Sequence, residues 1–283
     1  MKILEDFPVQ QTVVDDRGSV HLNVALLTDF GWEDIYPGVM KGVIASVNPA
    51  VNIIDLTHSV LPQNIIQGAF LLYSSCRYFP AGTVFCTVVD PTVGSNRRAI
   101  AVKTKDYCFV GPDNGVMAPA ALDNSILEIV ELSNSEFFPD SVSSTFHGRD
   151  IFAPACAHIA SGTDIARMGN AVEDMVRLDF GRFDPSRPVH EVRVLHVDTF
   201  GNIILDIPAK DFQRAGKPPV QVNSIIISRT VSHYAEADPD EPVFLTSSSG
   251  FAEIALKNAD AARKLELAPG DTVSLSFLGK GSD

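Results

Sequence analysis

The chain has 283 residues, of which 45% are hydrophobic and 20% charged, so it can bury a substantial core and is long enough for two domains. Its formal net charge of −13 would repel a phosphate backbone, and no basic stretch offsets it, which excludes nucleic acid as an expected partner. Its apolar runs are too short for a membrane-spanning helix and its acidic start does not fit a secretory signal, so we expect a cytoplasmic protein that does not contact membranes.

The N-terminal part of the sequence alternates between strand-like and helix-like segments. Residues 22–28 contain a continuous apolar run typical of a strand buried on both faces, and residues 36–47 place apolar side chains at helical spacing before Pro49. Further segments follow in the predicted order strand 51–56, helix 65–78, strand 83–89, a hairpin of 99–104 with 107–110, and helix 150–161. Strands separated by helices predict an α/β domain with a mostly parallel, covered sheet.

The pattern changes after residues 183–188, FDPSRP, which have two prolines and little apolar content, as is typical of a linker. We therefore predict an α/β domain over residues 1–187, with a short extension over 1–21, and a second domain over 188–283. The second domain has short strand-like segments at 191–197, 201–207, 220–227, 243–246, 253–256 and 272–277, without convincing long helices. This pattern predicts a smaller all-β domain resembling a barrel.

Polar residues follow the predicted strands of the first domain. Open α/β sheets bind ligands at the carboxyl ends of their strands, and the polar groups found there are Thr28 with Asp29, Thr57 with His58, Asp90 with residues 95–97, and Asp113 with Asn114. Any one of them alone could simply cap a helix or fill a structural role, and we expect His58 to be a structural histidine. Their joint placement indicates a pocket.

Seven motifs, taken in chain order, resemble the S-adenosylmethionine (SAM) hydrolases, also called SAM hydroxide adenosyltransferases, which are related to the fluorinase and the chlorinase. The motifs are LLTDFG, DLTHSVLP, FPAGTVFCTVVDPTVGSNRRAI, GPDNG, STFHGRDIFAPA, VDTFGNII and SSSGFAEIA, which span Leu26 to about Leu256. The resemblance implies an α/β domain followed by a β-barrel domain, and a homotrimer with active sites between neighbouring subunits. It also implies that water splits SAM into adenosine and methionine, with neither a cofactor nor a metal.

By position in these motifs, the resemblance implies a catalytic set of Asp90, Arg97 and His147. The halogenating relatives carry tyrosines in place of Asp90 and His147, so the set favours water over halide as the nucleophile. Either Asp90 or His147 could accept the proton of that water, and the sequence does not decide between them. Arg97 would keep Asp90 ionised, because a nearby cation lowers the pKa of a carboxyl group.

The same motifs imply contacts to the substrate. Asp29 would accept the ribose hydroxyls, Asn202 would bind the nucleoside through its donor and acceptor, and Ser248 and Glu253 would lie near the amino-acid end, with Glu253 pairing with the methionine ammonium. Further expected contacts are Asp34, Asp198 and Phe200. A helix start, a tight turn and core packing, respectively, would explain these last three equally well.

Three alternatives stay open. A metal-dependent hydrolase could use Asp29, Asp90, Asp113, His58 and His147, but the sequence lacks the HxxxH or HxH spacing common in such sites. The second alternative is a protein that binds SAM or adenosine without turnover. The third is a SAM-dependent halogenase. The four cysteines form no CxxC pair, so we expect buried free thiols rather than a zinc site or disulfides.

Overall fold

A computed structural model describes residues 23–180, 183–184, 187, 189–214, 219–222 and 225–277. The predicted extension over residues 1–21 and part of the predicted linker (185–186 and 188) lie outside the described residues. The chain divides into two compact units, the first ending at Leu178 and the second beginning at Asp179. Within the described residues, no helix has the length and apolar character needed to cross a membrane.

The first unit has helices on a seven-stranded sheet. Its strands are β1 (Asn23–Thr28), β2 (Asn52–Thr57), β3 (Val84–Val88), β4 (Ala99–Thr104), β5 (Cys108–Pro112), β6 (Ile126–Leu132) and β7 (Gly169–Ala171). Its α-helices are α1 (Tyr36–Val47), α2 (Ile65–Ser75), α3 (Ala118–Asp123) and α4 (Ala153–Ala160). The strand order is β2-β1-β3-β5-β4-β6-β7, parallel from β2 to β5 and antiparallel from β5 to β7. The predicted α/β class, with its parallel sheet, is confirmed.

Both faces of the parallel strands are covered, which explains their unbroken apolar sequences. In β1, Leu26 belongs to the core that includes Met40 and Ile44 of α1, whereas Leu27 lies on the side of Gly68 in α2. The helix predicted at 150–161 begins differently from the prediction, with a π-helical turn at Gly148–Phe152 before α4. The carboxyl ends of β1 and β3 therefore emerge between two helical layers.

The second unit is all-antiparallel. Its strands are β8 (Val189–Val197), β9 (Ile203–Pro208), β10 (Val220–Val222), β11 (Ile225–Ile227), β12 (Pro242–Thr246), β13 (Phe251–Leu256) and β14 (Thr272–Phe277), and its short helices are α5 (Ala209–Arg214) and α6 (Ala261–Leu265). The strand order is β11-β10-β14-β8-β9-β13-β12. A bridge between Thr230 and Phe244 brings the segment after β11 next to β12, so the sheet nearly closes on itself. The predicted barrel-like class is confirmed.

Candidate active site

A cavity of about 590 Å³ lies at the carboxyl ends of β1 and β3 in the first unit. Asp29 follows β1 directly, Asp90 comes two residues after β3, and His147 immediately precedes the π-helical turn. All three line the cavity, together with Phe30 and Arg149 among others. Of the polar residues that follow the predicted strands, Asp29 and Asp90 line this cavity, at the end of the sheet where open α/β folds bind ligands.

Asp90 and His147 line this cavity, and Arg97, which does not line it, bonds to both of them. The Arg97 Nε donates to both carboxylate oxygens of Asp90, at 3.1 and 3.0 Å, and Nη2 donates to Asp90 Oδ2 at 2.5 Å. The same Nη2 donates to His147 Nδ1 at 2.6 Å. The side chains of Arg97 and Asp90 are only 8% and 4% exposed, so bulk water screens their attraction weakly. One guanidinium thus fixes the positions of a carboxylate and an imidazole.

A glycine makes this meeting possible. Gly94 has a φ of +79°, and a Cβ placed on it would lie 2.3 Å from the backbone oxygen of Ser144. Only glycine tolerates both this conformation and this approach. The loop that carries Arg97 can therefore lie against the segment that carries His147.

The bond to Arg97 fixes the tautomer of His147. A guanidinium can only donate, so Nδ1 must accept and the neutral ring carries its proton on Nε2. The pKa of His147 is lowered from 6.5, first by burial and then by the Arg97 cation. At neutral pH the imidazole is therefore uncharged, with Nε2–H as its donor.

Asp29 lies in the same cavity, and its carboxylate is held by the backbone. Its Oδ2 accepts a hydrogen bond from the amide of Gln63 at 2.7 Å. Burial raises the pKa of Asp29, and the nearby Asp90 carboxylate raises it further. Asp34, by contrast, is exposed and does not line the cavity.

The second unit has its own cavity, of about 840 Å³, which Asp198, Phe200 and Asn202 line. Asp198 forms the tight turn that its sequence context predicts: its Oδ1 accepts from the amides of Phe200 and Asn202, and its Oδ2 from Asn202 Nδ2, all at 2.9 Å. Phe200 is 78% exposed, so core packing does not explain it. The exposed ring of Phe200 and the buried side chain of Asn202 thus both line this cavity.

Ser248 and Glu253 do not line that second cavity. Ser248 is exposed between β12 and β13, and Glu253 is a buried residue of β13 that accepts a hydrogen bond from Tyr234 Oη at 2.7 Å. Burial raises the pKa of Glu253, and the charge of Asp198 adds to this, although the bond from Tyr234 opposes it. Tyr234 does line the cavity, and the sequence does not predict its place there because none of the seven motifs contains it.

Two residues of the metal-hydrolase alternative, Asp113 and His58, do not line the first cavity and are hydrogen-bonded to other groups. Asp113 accepts from Arg98 Nε at 2.8 Å and from the amide of Val176 at 2.7 Å. His58 is fully buried, as the structural interpretation predicted, and both ring nitrogens are hydrogen-bonded. Across the residues that the structure describes, no group of three or more His, Cys, Asp or Glu side chains is arranged to hold a metal ion. All four cysteines are buried free thiols, as predicted.

Both units match family models. The SAM hydroxide adenosyltransferase N-terminal domain matches residues 24–169, and the SAM hydroxide adenosyltransferase C-terminal domain matches residues 192–274. The two matches together cover most of the chain.

Named relatives and a solved structure resemble the chain over nearly its whole length. The (R)-S-adenosyl-L-methionine hydrolases of Salinispora tropica and Thermus thermophilus are each 35% identical to it, over 89% of this chain and 97% and 98% of their own lengths. The fluorinase of an Actinoplanes species is 26% identical, over 89% of this chain and 97% of its own. A crystal structure of a Thermotoga maritima protein superposes with a TM-score of 0.82 at 36% identity, covering 89% of this chain and 99% of that one.

Proposed function

The chain belongs to the SAM hydroxide adenosyltransferase family, and we propose that it hydrolyses S-adenosyl-L-methionine to adenosine and L-methionine. The observation that carries this proposal is that Asp90 and His147 line one cavity and are both bonded to the guanidinium of Arg97. The hydrolases named among its relatives are also more similar to the chain than the fluorinase is.

The reaction is a displacement at the ribose C5′. The oxygen of water forms a bond to C5′ while the bond from C5′ to sulfur breaks, and the electron pair of that bond stays on sulfur. Methionine leaves as a neutral thioether and needs no proton, so the only proton to be moved is the one that the water loses. The protein must therefore hold one water in line with the bond that breaks and accept its proton.

We assign the acceptance of that proton to Asp90. His147 Nδ1 already accepts from Arg97 and its other nitrogen bears a proton, so the neutral imidazole has no lone pair to offer the water. Asp90 is a carboxylate held by Arg97, and its oxygens can accept a hydrogen bond from the water. A water that donates to Asp90 and accepts from His147 Nε2–H keeps one lone pair for C5′. Arg97 acts by holding both partners.

The proposed substrate contacts draw on both units. Asp29 would accept the ribose hydroxyls, and Asn202 would bind the nucleoside beside the exposed ring of Phe200. The remaining proposed contacts are Asp34, Asp198, Ser248 and Glu253. We also propose the (R) form of the substrate, which the names of the hydrolase relatives specify.

We also propose that the protein is a cytoplasmic homotrimer with active sites between neighbouring subunits. Its support is the family membership of the two matched domains. Light scattering of the purified protein tests the assembly. We expect a mass about three times the 30.6 kDa of one chain, and a monomer would contradict it.

Incubation of the purified protein with SAM, followed by chromatography, tests the activity. We expect adenosine and methionine in equal amounts, and adenosine even when chloride or fluoride is added. Binding without product would favour the non-catalytic alternative, and a 5′-halogenated nucleoside would favour the halogenase. Asp140→Asn, at an exposed aspartate that lines neither cavity, is a control that should keep full activity.

A further inference from the structure

We propose that His58 is a positioning residue for Asp29, so that it affects ribose recognition although it does not line the active-site cavity. This inference rests on the function proposed above, in which Asp29 accepts the ribose hydroxyls. His58 is fully buried and does not line the cavity. Its Nδ1 lies 2.8 Å from Thr28 Oγ1 and its Nε2 lies 2.9 Å from Asp55 Oδ1.

The chemistry of these groups gives the hydrogen-bond chain a single direction. When the His58 ring is neutral, Asp55 holds its proton on Nε2, because a carboxylate only accepts. Nδ1 must then accept from the hydroxyl of Thr28, and the oxygen of that hydroxyl accepts from the amide of Phe30 at 3.2 Å. Thr28 and Phe30 are the two chain neighbours of Asp29. The tautomer of a buried histidine thus determines how the backbone on either side of the ribose-binding carboxylate is held.

Further contacts of His58 hold the same loop. Its backbone oxygen accepts from the amide of Gly31 at 2.8 Å, and the ring of Trp32 lies edge-on to its imidazole with 4.8 Å between centroids. Lys41 of α1 donates to the second oxygen of Asp55 at 2.5 Å. Burial by itself would raise the pKa of Asp55, but the bonds from Lys41 and His58 outweigh it and the pKa is lowered. Asp55 is therefore an ionised acceptor at neutral pH.

Binding of the two adjacent ribose hydroxyls would be sensitive to small displacements of the Asp29 carboxylate. Two adjacent hydroxyls can both donate to one carboxylate only if its two oxygens lie at hydrogen-bond distance from them, and recognition sites lose function when such groups are misplaced by about 1 Å. The amide of Gln63 already holds one oxygen of Asp29. The hydrogen bonds that join His58, Thr28 and Phe30 constrain the position of Asp29 at the end of β1.

The test compares the binding of adenosine with that of 2′,3′-dideoxyadenosine, which lacks both ribose hydroxyls, by isothermal titration calorimetry. The dissociation constant of 2′,3′-dideoxyadenosine divided by that of adenosine is the ratio that measures diol recognition. This ratio is insensitive to a general loss of folded protein. We expect Thr28→Val, which removes only the hydroxyl while keeping the shape, to lower this ratio by about fivefold, the size of effect expected for losing one buried hydrogen bond.

Two further variants separate the hydrogen bond between His58 and Thr28 from the hydrogen bond between His58 and Asp55. His58→Asn places an amide oxygen near the position of Nδ1 and should keep more of the ratio than His58→Gln, which keeps the donor to Asp55 but loses the acceptor for Thr28. His158→Leu is the matched control, because His158 lies on α4 against Phe137 and should leave the ratio unchanged.

A reference variant keeps the two proposals separable. Asp29→Ala should remove diol recognition altogether. If Asp29→Ala keeps the ratio of the unmodified protein, the ribose role of Asp29 is wrong. If Asp29→Ala lowers the ratio but Thr28→Val and the two His58 variants leave it unchanged, even with a lower melting temperature, His58 is merely structural and the inference is overturned.

Discussion

Replacing Asp90 by Asn tests the chemical role of this carboxylate with little change of shape. The amide oxygen of Asn can still accept one hydrogen bond from Arg97, but it cannot take a proton from water. Loss of a general base lowers turnover by about 100-fold or more, which corresponds to about 2.7 kcal/mol of activation free energy. We expect kcat of Asp90→Asn to fall by at least this factor in a chromatographic assay of adenosine release.

The neighbouring ion pair provides the matched control. Arg98 binds Asp113 through Nε at 2.8 Å and Nη2 at 2.6 Å, and the Asp113 side chain is 2% exposed, so this pair closely parallels that of Arg97 and Asp90. Asp113 does not line the cavity. Asp113→Asn should therefore lower the free energy of unfolding by about 1–3 kcal/mol, measured by denaturation, and leave kcat nearly unchanged. Equal losses of kcat in the two variants, or full activity of Asp90→Asn, would refute the assignment.

The pKa of His147 is lowered from 6.5 by burial and by Arg97, so kcat/KM should fall with decreasing pH with its inflection below 6.5; an inflection above 6.5 that disappears in His147→Gln would contradict this. Asn202→Ala should raise KM with little effect on kcat, because binding to the nucleoside is similar in the ground and transition states, and a pure kcat effect in steady-state kinetics would oppose that role. Gly94→Ala should reduce kcat and lower the free energy of unfolding by about 1–3 kcal/mol, because its Cβ would meet the backbone oxygen of Ser144, and unaltered kinetics would show that the close approach is not needed. Activity should also survive EDTA, and a loss restored by added metal would revive the metal-hydrolase alternative.

The sequence predicts the regular part of the fold well, because local signals define it. The helix α1 has its predicted limits, and the strands β1 to β5 begin or end within two residues of the prediction. The elements α3, β6 and β7 have no counterpart in the prediction. The segment 220–227, predicted as one strand, contains β10 and β11, which pair with each other.

The site is predictable only in part, for physical reasons. The residue types of the catalytic set are recognisable from their motifs, but Arg97 and His147 are 50 residues apart, and no spacing rule brings them into contact. Their meeting depends on the conformation of Gly94 and on the packing of two loops. The same holds for Tyr234 and Glu253, because a hydrogen bond between a loop and a strand leaves no periodic pattern in the sequence.

Hydrolysis of SAM in water labelled with heavy oxygen tests the central claim most directly. If water attacks C5′, mass spectrometry of the products should find one labelled oxygen in adenosine and none in methionine, and Asp90→Asn should form this labelled adenosine at a rate lower by about 100-fold or more. Label in methionine, or unlabelled adenosine formed at the full rate, would contradict the displacement at C5′.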